Sequence, residues 1–181
     1  MKTNEMKKRI LVLGGISALC ILIIAFGLSI FKNKNVSADE KAVEAYNYLE
    51  ANTDLSSAQI IGIISNIKTQ SNFDTTIHET TPNSIGLMCW NYIRADKLKD
   101  FAIQNSKTVE DFYVQLDYII EEISETSTNF QLVNYNDYTI EDWNSVRNPV
   151  EAALIFESLY LRPRIFSRDL EDTAIIYAES L

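Results

Sequence analysis

The chain is poor in the residues that cross-link a fold, bind metals or attract nucleic acid. It has two cysteines in 181 residues. Cys20 lies inside an apolar N-terminal run and Cys89 far downstream, so no disulfide framework is available and a packed core must hold the fold. The single histidine, His78, is followed by Glu79, and one His–Glu pair lacks the ligand count of a metal site. Neither a metal nor any other cofactor is expected. Positive charge is also scarce, with 16 Lys and Arg against 25 Asp and Glu, a net charge of −9. From residue 32 onward the balance is 12 basic against 24 acidic side chains, or −12. That excludes nucleic acid as a partner, because its backbone requires a cationic surface. Ser71 and Ser84 lack the flanking pattern of a nucleophile elbow, which excludes serine hydrolysis. No repeat and no low-complexity block interrupts the chain.

One long apolar run is present. Ile10 to Phe31 contains no charged side chain and is long enough to cross a bilayer as a helix. Lys2, Lys7, Lys8 and Arg9 precede it and outnumber Lys32 and Lys34 behind it, which keeps the N-terminus cytoplasmic. The expected organisation is a cytoplasmic tail over 1–9, a single transmembrane anchor over 10–31, a linker over 32–41 and one domain over 42–181. The competing reading is a secretory signal peptide cut after Ala38, since Val36-Ser37-Ala38 fits a small-residue cleavage site. The run is longer than a usual signal core and is followed by the polar stretch Lys32 to Asn35, which favours the anchor. Both readings put the remaining residues outside the cytoplasm, either at the cell membrane or secreted. Cys20 follows Leu19, where a lipid-attachment site wants Gly or Ala.

The rest of the chain reads as mostly helical. Asp39 to Ala51 places Ala42, Val43, Tyr46 and Leu49 on one face at helical spacing. Ser56, with Gln59 three residues on, forms a capping-box pattern that starts a second helix. Ile60, Ile61, Ile63, Ile64 and Ile67 make that helix apolar around much of its circumference, so it belongs in the middle of a domain. Asn72 to Trp90 is rich in Thr and Asn and contains Pro82 and Gly86, so it reads as a loop or short irregular strands. Further helices are expected over Asp96 to Gln104, from Thr108 through the stripe Val109, Phe112, Leu116, Ile119, Ile120 and Ile123, from Pro149 to about Leu161, and over about Asp169 to Ser180. Thr126 to Arg147 reads as a long polar connection carrying Tyr135, Tyr138 and Trp143.

The segment Gly62-Ile63-Ile64-Ser65-Asn66-Ile67-Lys68-Thr69-Gln70-Ser71-Asn72-Phe73, followed by Gly86-Leu87-Met88-Cys89-Trp90, resembles the phage-tail lysozyme family. That family belongs to the lysozyme-like glycoside hydrolases, and its first motif looks like G-I-x-G-N-x-x-x-E-S-x-F. Gln115-Leu116-Asp117-Tyr118 with Glu122-Ile123 is similar to its Q-L-D-F…E-L segment. Glu151-Ala152-Ala153, Phe156 and Tyr160-Leu161-Arg162-Pro163 are similar to its E-A-A…F…Y-E-R-P segment. Arg94 and the Leu98 to Ala102 stretch also fit in order, so the likeness spans roughly Tyr46 to Tyr177. It implies a mostly α, lysozyme-like helical domain behind the N-terminal membrane helix, with peptidoglycan glycan strands as the ligand.

The same likeness assigns site residues. Gln70 occupies the slot where the family carries its glutamate proton donor. Cleaving a glycosidic bond requires a carboxylic acid with a raised pKa beside the leaving oxygen. An amide keeps the shape and can donate a hydrogen bond, but it has no proton to transfer. Gln70 is thus a degenerate catalytic position, and the expected activity is glycan binding with weak or no hydrolysis. Trp90, Asn66, Gly86 and Ser71 are the implied substrate-binding positions, Trp90 as a stacking platform for a sugar face or alternatively as a core tryptophan. Cys89 stands where the family usually has Gln, and it reads as a small buried side chain. Two alternatives stay open. Glu79, or Asp74 orienting a water, would substitute for the missing acid in an active muramidase. Or the scaffold would serve as an interaction module docking on an envelope, conjugation or phage protein. The acidic balance leaves any glycan to short-range contacts in a groove.

Overall fold

The computed structural model describes residues 39–79, 84–124, 138–163 and 165–181, which fall in one compact unit, Ala38–Leu181. The expected membrane segment 10–31, the cleavage site after Ala38 and Tyr135 lie outside the described residues. Among the described residues no helix is long and apolar enough to cross a membrane. The architecture is helical: α1 (Glu40–Asn52), α2 (Ser57–Ser71), α3 (Tyr92–Gln104), α4 (Phe112–Ile123), α5 (Ile140–Ser145), α6 (Pro149–Phe156), a π-helical turn (Glu157–Leu161) and α7 (Leu170–Ser180).

Local chemistry sets most of these boundaries. Asp39 caps α1 by accepting from the Lys41 amide at 3.0 Å. The Ser56 and Gln59 side chains form the expected reciprocal capping box at the start of α2. Asn148 caps α6, and Pro149 takes the first turn, where its missing N–H costs nothing. Among the described residues of the stretch 72–90 are two isolated antiparallel bridges, His78 with Ile85 and Ile85 with Trp90.

Three expectations need correction. The helix expected from Thr108 begins at Phe112. The Thr108 carbonyl accepts from the Asp111 amide in a turn, and Asp111 is the cap, its Oδ1 accepting from Tyr113 and Val114. The helix expected from Asp96 begins at Tyr92, whose exposed Tyr92 and Ile93 hid its first turn from a one-sided apolar pattern. The connection over 126–147 contains α5, started by a Thr139–Asp142 capping box. That helix buries Trp143 against Phe156, with ring centroids 5.6 Å apart.

Helix α2 is the axis of the domain. Ala58 to Ile67 are buried without interruption, and the helix packs against α1, α6 and α7. Each isoleucine sealed from water contributes on the order of 1.5–3 kcal/mol. The approach to α6 is close enough that a Cβ on Gly62 would lie 2.8 Å from the Ala152 carbonyl carbon. One turn later Asn66 crosses the same seam, its Nδ2 donating to Gly62 O at 2.8 Å and Ala153 O at 3.0 Å. The G…N spacing of the motif therefore builds a helix–helix joint.

A second joint ties α3 and α4 to the π-helical turn. Glu122, 2 % exposed, accepts from Trp90 Nε1 at 2.9 Å, from Arg94 Nε at 2.9 Å and Nη2 at 2.7 Å, and from the Tyr160 hydroxyl. Arg94 lies over the Tyr160 ring, 4.3 Å from its centroid. Burial works against the Arg94 charge, but the Tyr160 and Glu122 oxygens outweigh it and hold the guanidinium protonated more firmly than usual.

Candidate functional site

The C-terminal end of α2 positions Lys68, Thr69, Gln70 and Ser71. The chain then reverses through two consecutive left-handed residues, Asn72 (φ 52°) and Phe73 (φ 62°). Neither is glycine, so the reversal carries backbone strain immediately after Gln70. Asn72 N–H closes the helix on the Lys68 carbonyl, and Phe73 is buried as the anchor of the turn.

Gln70 is half-buried at this helix end. Its carbonyl accepts a weak hydrogen bond from Cys89 Sγ at 3.4 Å. Cys89 sits in the 86–89 turn, itself left-handed at φ 48°. Burial, with the Glu79 charge adding to it, pushes the Cys89 thiol up to about 11. The thiol therefore stays protonated and is no nucleophile near neutral pH. The structure thus brings Gln70, Cys89 and Glu79 into one neighbourhood. Glu79 is exposed, and its backbone N–H donates to Ser84 O at 2.8 Å. Asp74 is held below the usual carboxylate range by the Thr76 hydroxyl and amide, both on its Oδ1. It is an ionised, already-engaged acceptor, unsuited to donating a proton. His78 is exposed and lies 3.6 Å from Glu110.

The other sequence-derived site residues belong to the scaffold. Trp90 is 1 % exposed, and its ring is edge-on to Tyr118 at 5.5 Å. It offers no free face to a sugar, so the stacking-platform expectation gives way to the core-tryptophan alternative. Asn66 is fully buried in the α2–α6 joint, out of reach of a ligand. Ser71 is buried, its hydroxyl returned to Ile67 O at 3.1 Å. Gly86, at φ +67°, lets the Gln115 amide pass so closely that a Cβ would sit 2.5 Å from Gln115 Oε1. That oxygen accepts from the Leu87 amide at 2.8 Å, while Gln115 Nε2 donates to Thr75 O at 3.0 Å and Val109 O at 2.7 Å. The family-like Q-L-D segment is thus the tie that fixes the 74–89 loop to α4. Tyr92 is exposed, and Tyr138 is half-buried against the core.

Sequence reasoning missed a hollow of about 420 Å³ lined by Lys68, Thr69, Ser167, Arg168, Asp169 and Thr173. It opens beside the residue preceding Gln70. Its far wall comes from the start of α7, a hundred residues downstream, and no local pattern joins the two. Behind it lies Glu157, fully buried in the π-helical turn, with Oε1 accepting from the Ser167 amide at 2.8 Å. Glu157 Oε2 has no hydrogen-bond partner among the described residues. Burial raises the Glu157 pKa, and the Ser167 hydrogen bonds only partly offset this. Among the described residues no cluster of His, Cys, Asp and Glu is arranged to hold a metal ion.

The helical fold agrees with a comparison against known families. No curated protein matches the chain, but the model of the phage tail lysozyme family matches residues 40–173. The chain therefore belongs to the phage tail lysozyme family.

Proposed function

We propose that this domain recognises peptidoglycan glycan strands and hydrolyses them weakly or not at all, with residues 10–31 holding it at the outer face of a cell membrane. Membership in a lysozyme family links the chain to peptidoglycan. The finer reading rests on the resemblance that sets Gln70 at the family's proton-donor position, and the observation that supports it is the neighbourhood of Gln70. The acidic groups near it do not fit that role. Asp74 is kept ionised by Thr76, and Glu79 is an exposed side chain, whereas a general acid needs a site that favours its protonated form. Glu157 has a raised pKa but is sealed in the core. The test uses the full chain with purified peptidoglycan, following turbidity and released muropeptides. The native sequence should release little while co-sedimenting with the polymer. Gln70→Glu should raise release, by up to about 10²–10⁴-fold if the rest of the groove is intact. Vigorous release by the native chain would refute the reading.

A second reading, a protein-docking module on the same scaffold, is favoured by one observation. Ile165, Phe166, Ile175 and Ile176 are exposed apolar side chains along the C-terminal segment. Capture of an envelope protein together with absent glycan binding would select it.

A further inference from the structure

We propose that the hollow between the end of α2 and the start of α7 is a subsite for a carboxylate-bearing sugar, with Arg168 as its principal charge contact. This rests on the reading of the domain as a glycan binder and names what it would discriminate.

The hollow's volume, about 420 Å³, falls within the roughly 300–1,000 Å³ of small-ligand sites and can hold a substituted monosaccharide. Its charge runs against that of the chain. In a domain with twice as many acidic as basic residues, Lys68 and Arg168 face this one cavity against a single carboxylate, Asp169. The two cations are not equivalent. Lys68 Nζ is already engaged by Asp39 Oδ2 at 3.0 Å and by Asn72 Oδ1. Arg168 is exposed and has no ion-pair or hydrogen-bond partner among the described residues. Its planar fork of donors is therefore available, and that fork matches a carboxylate in bidentate geometry.

The neutral part of the wall suits a sugar. Thr69 Oγ1 donates to Asn66 O at 3.1 Å, and Thr173 Oγ1 donates to Asp169 O at 2.7 Å. Each hydroxyl has spent its proton on its own helix, so each presents lone pairs to a ligand. Sugar hydroxyls and N-acetyl amides are the complementary donors. A free guanidinium together with threonine acceptors on both walls describes an acidic, hydroxyl-rich ligand better than a neutral or purely anionic one. Thr69 is the residue before Gln70, so the hollow opens at the same end of α2 that carries Gln70.

A carboxylate on a wall sugar has two sources, the lactyl group of muramic acid or the peptide attached to it. Binding of the full chain to N-acetylmuramic acid, muramyl dipeptide and N-acetylglucosamine, measured by calorimetry, separates them. At least one acidic ligand should bind more tightly than N-acetylglucosamine, and added salt should weaken that preference. Arg168→Gln should cost about tenfold in affinity for the preferred acid and leave the neutral sugar within twofold. Preference for muramic acid assigns the lactyl group, and preference for the dipeptide assigns the peptide carboxylate. Equal binding of acid and neutral sugars, or an Arg168→Gln variant that keeps the acid preference, overturns the subsite while leaving glycan recognition standing. Absence of binding both to these sugars and to peptidoglycan overturns the glycan reading and the subsite with it.

Discussion

Removing the Glu122 carboxylate should destabilise the domain severely, and the size of the loss follows from what converges on it. Four donor groups from three side chains end there: Trp90 Nε1, the Tyr160 hydroxyl and two nitrogens of Arg94. Truncating one partner of a buried ion pair typically costs about 3–5 kcal/mol, because the other charge is left without an acceptor. Arg94 retains 24 % side-chain exposure, so water recovers part of its solvation and the pair term falls toward about 2–3 kcal/mol. The indole N–H keeps one alternative, the Tyr160 oxygen at 3.0 Å, while the tyrosine hydroxyl loses its carboxylate acceptor, adding about 1–2 kcal/mol. A total of about 3–5 kcal/mol is a large fraction of the ~5–15 kcal/mol that holds a typical domain. At roughly 2–4 °C per kcal/mol for a domain of this size, Glu122→Ala should melt about 10 °C below the native chain. Glu122→Gln keeps one acceptor oxygen and should fall between the two. The double variant Arg94→Met with Glu122→Met should recover much of the loss, since it leaves no uncompensated charge. Thermal unfolding read by tryptophan fluorescence measures all four proteins, with Trp90 as a reporter at the joint. A Glu122→Ala protein that melts within 3 °C of the native chain would refute the view that this carboxylate clamps α3, α4 and the π-helical turn together.

Other perturbations separate scaffold from site. Gly86→Ala should cost about 2–4 kcal/mol in chemical denaturation, from a left-handed non-glycine residue and a displaced Gln115–Leu87 hydrogen bond; an unchanged midpoint would show that the loop is not tied by Gln115. Any residual lytic activity of the native chain should survive Glu79→Gln, because Glu79 is exposed and acts on the Gln70 neighbourhood through its charge on Cys89; loss of muropeptide release in that variant would restore Glu79 as the substitute acid. Glu157 has a folded pKa above its unfolded value, so native stability should fall as pH rises from about 4.5 through the raised folded value and stay level above it. Glu157→Gln should lack that fall and gain melting temperature relative to the native chain at neutral pH; a difference constant from pH 4 to 8 would contradict the shift.

Periodicity and capping chemistry are local, and they made much of the helical order legible. The Ser56–Gln59 box and the isoleucine run announced α2 as a central helix, and the buried stretch Ala58 to Ile67 agrees. The same patterns failed where the local signal was weak or competed with another. Tyr92 and Ile93 face solvent, so α3 hid its start, and Thr108 looked like a cap although its carbonyl closes a turn onto Asp111. Motif order identified the family, but motif membership did not say which residues face a ligand. Trp90, Asn66, Ser71 and Gly86 are in the motifs, and all four hold the scaffold.

The sequence alone determined the helical class, the acidic balance, the resemblance to phage tail lysozymes and the amide at position 70. Each of these is written in neighbouring residues or in composition. Tertiary structure alone decided that Trp90 is spent on Glu122, that Gly62 and Asn66 join two helices, and that Thr69 faces Arg168 and Thr173 across one hollow. Those facts depend on side chains dozens to a hundred residues apart meeting in space. Which of them meet is settled when the core around α2 packs, and no local pattern in the chain encodes that geometry.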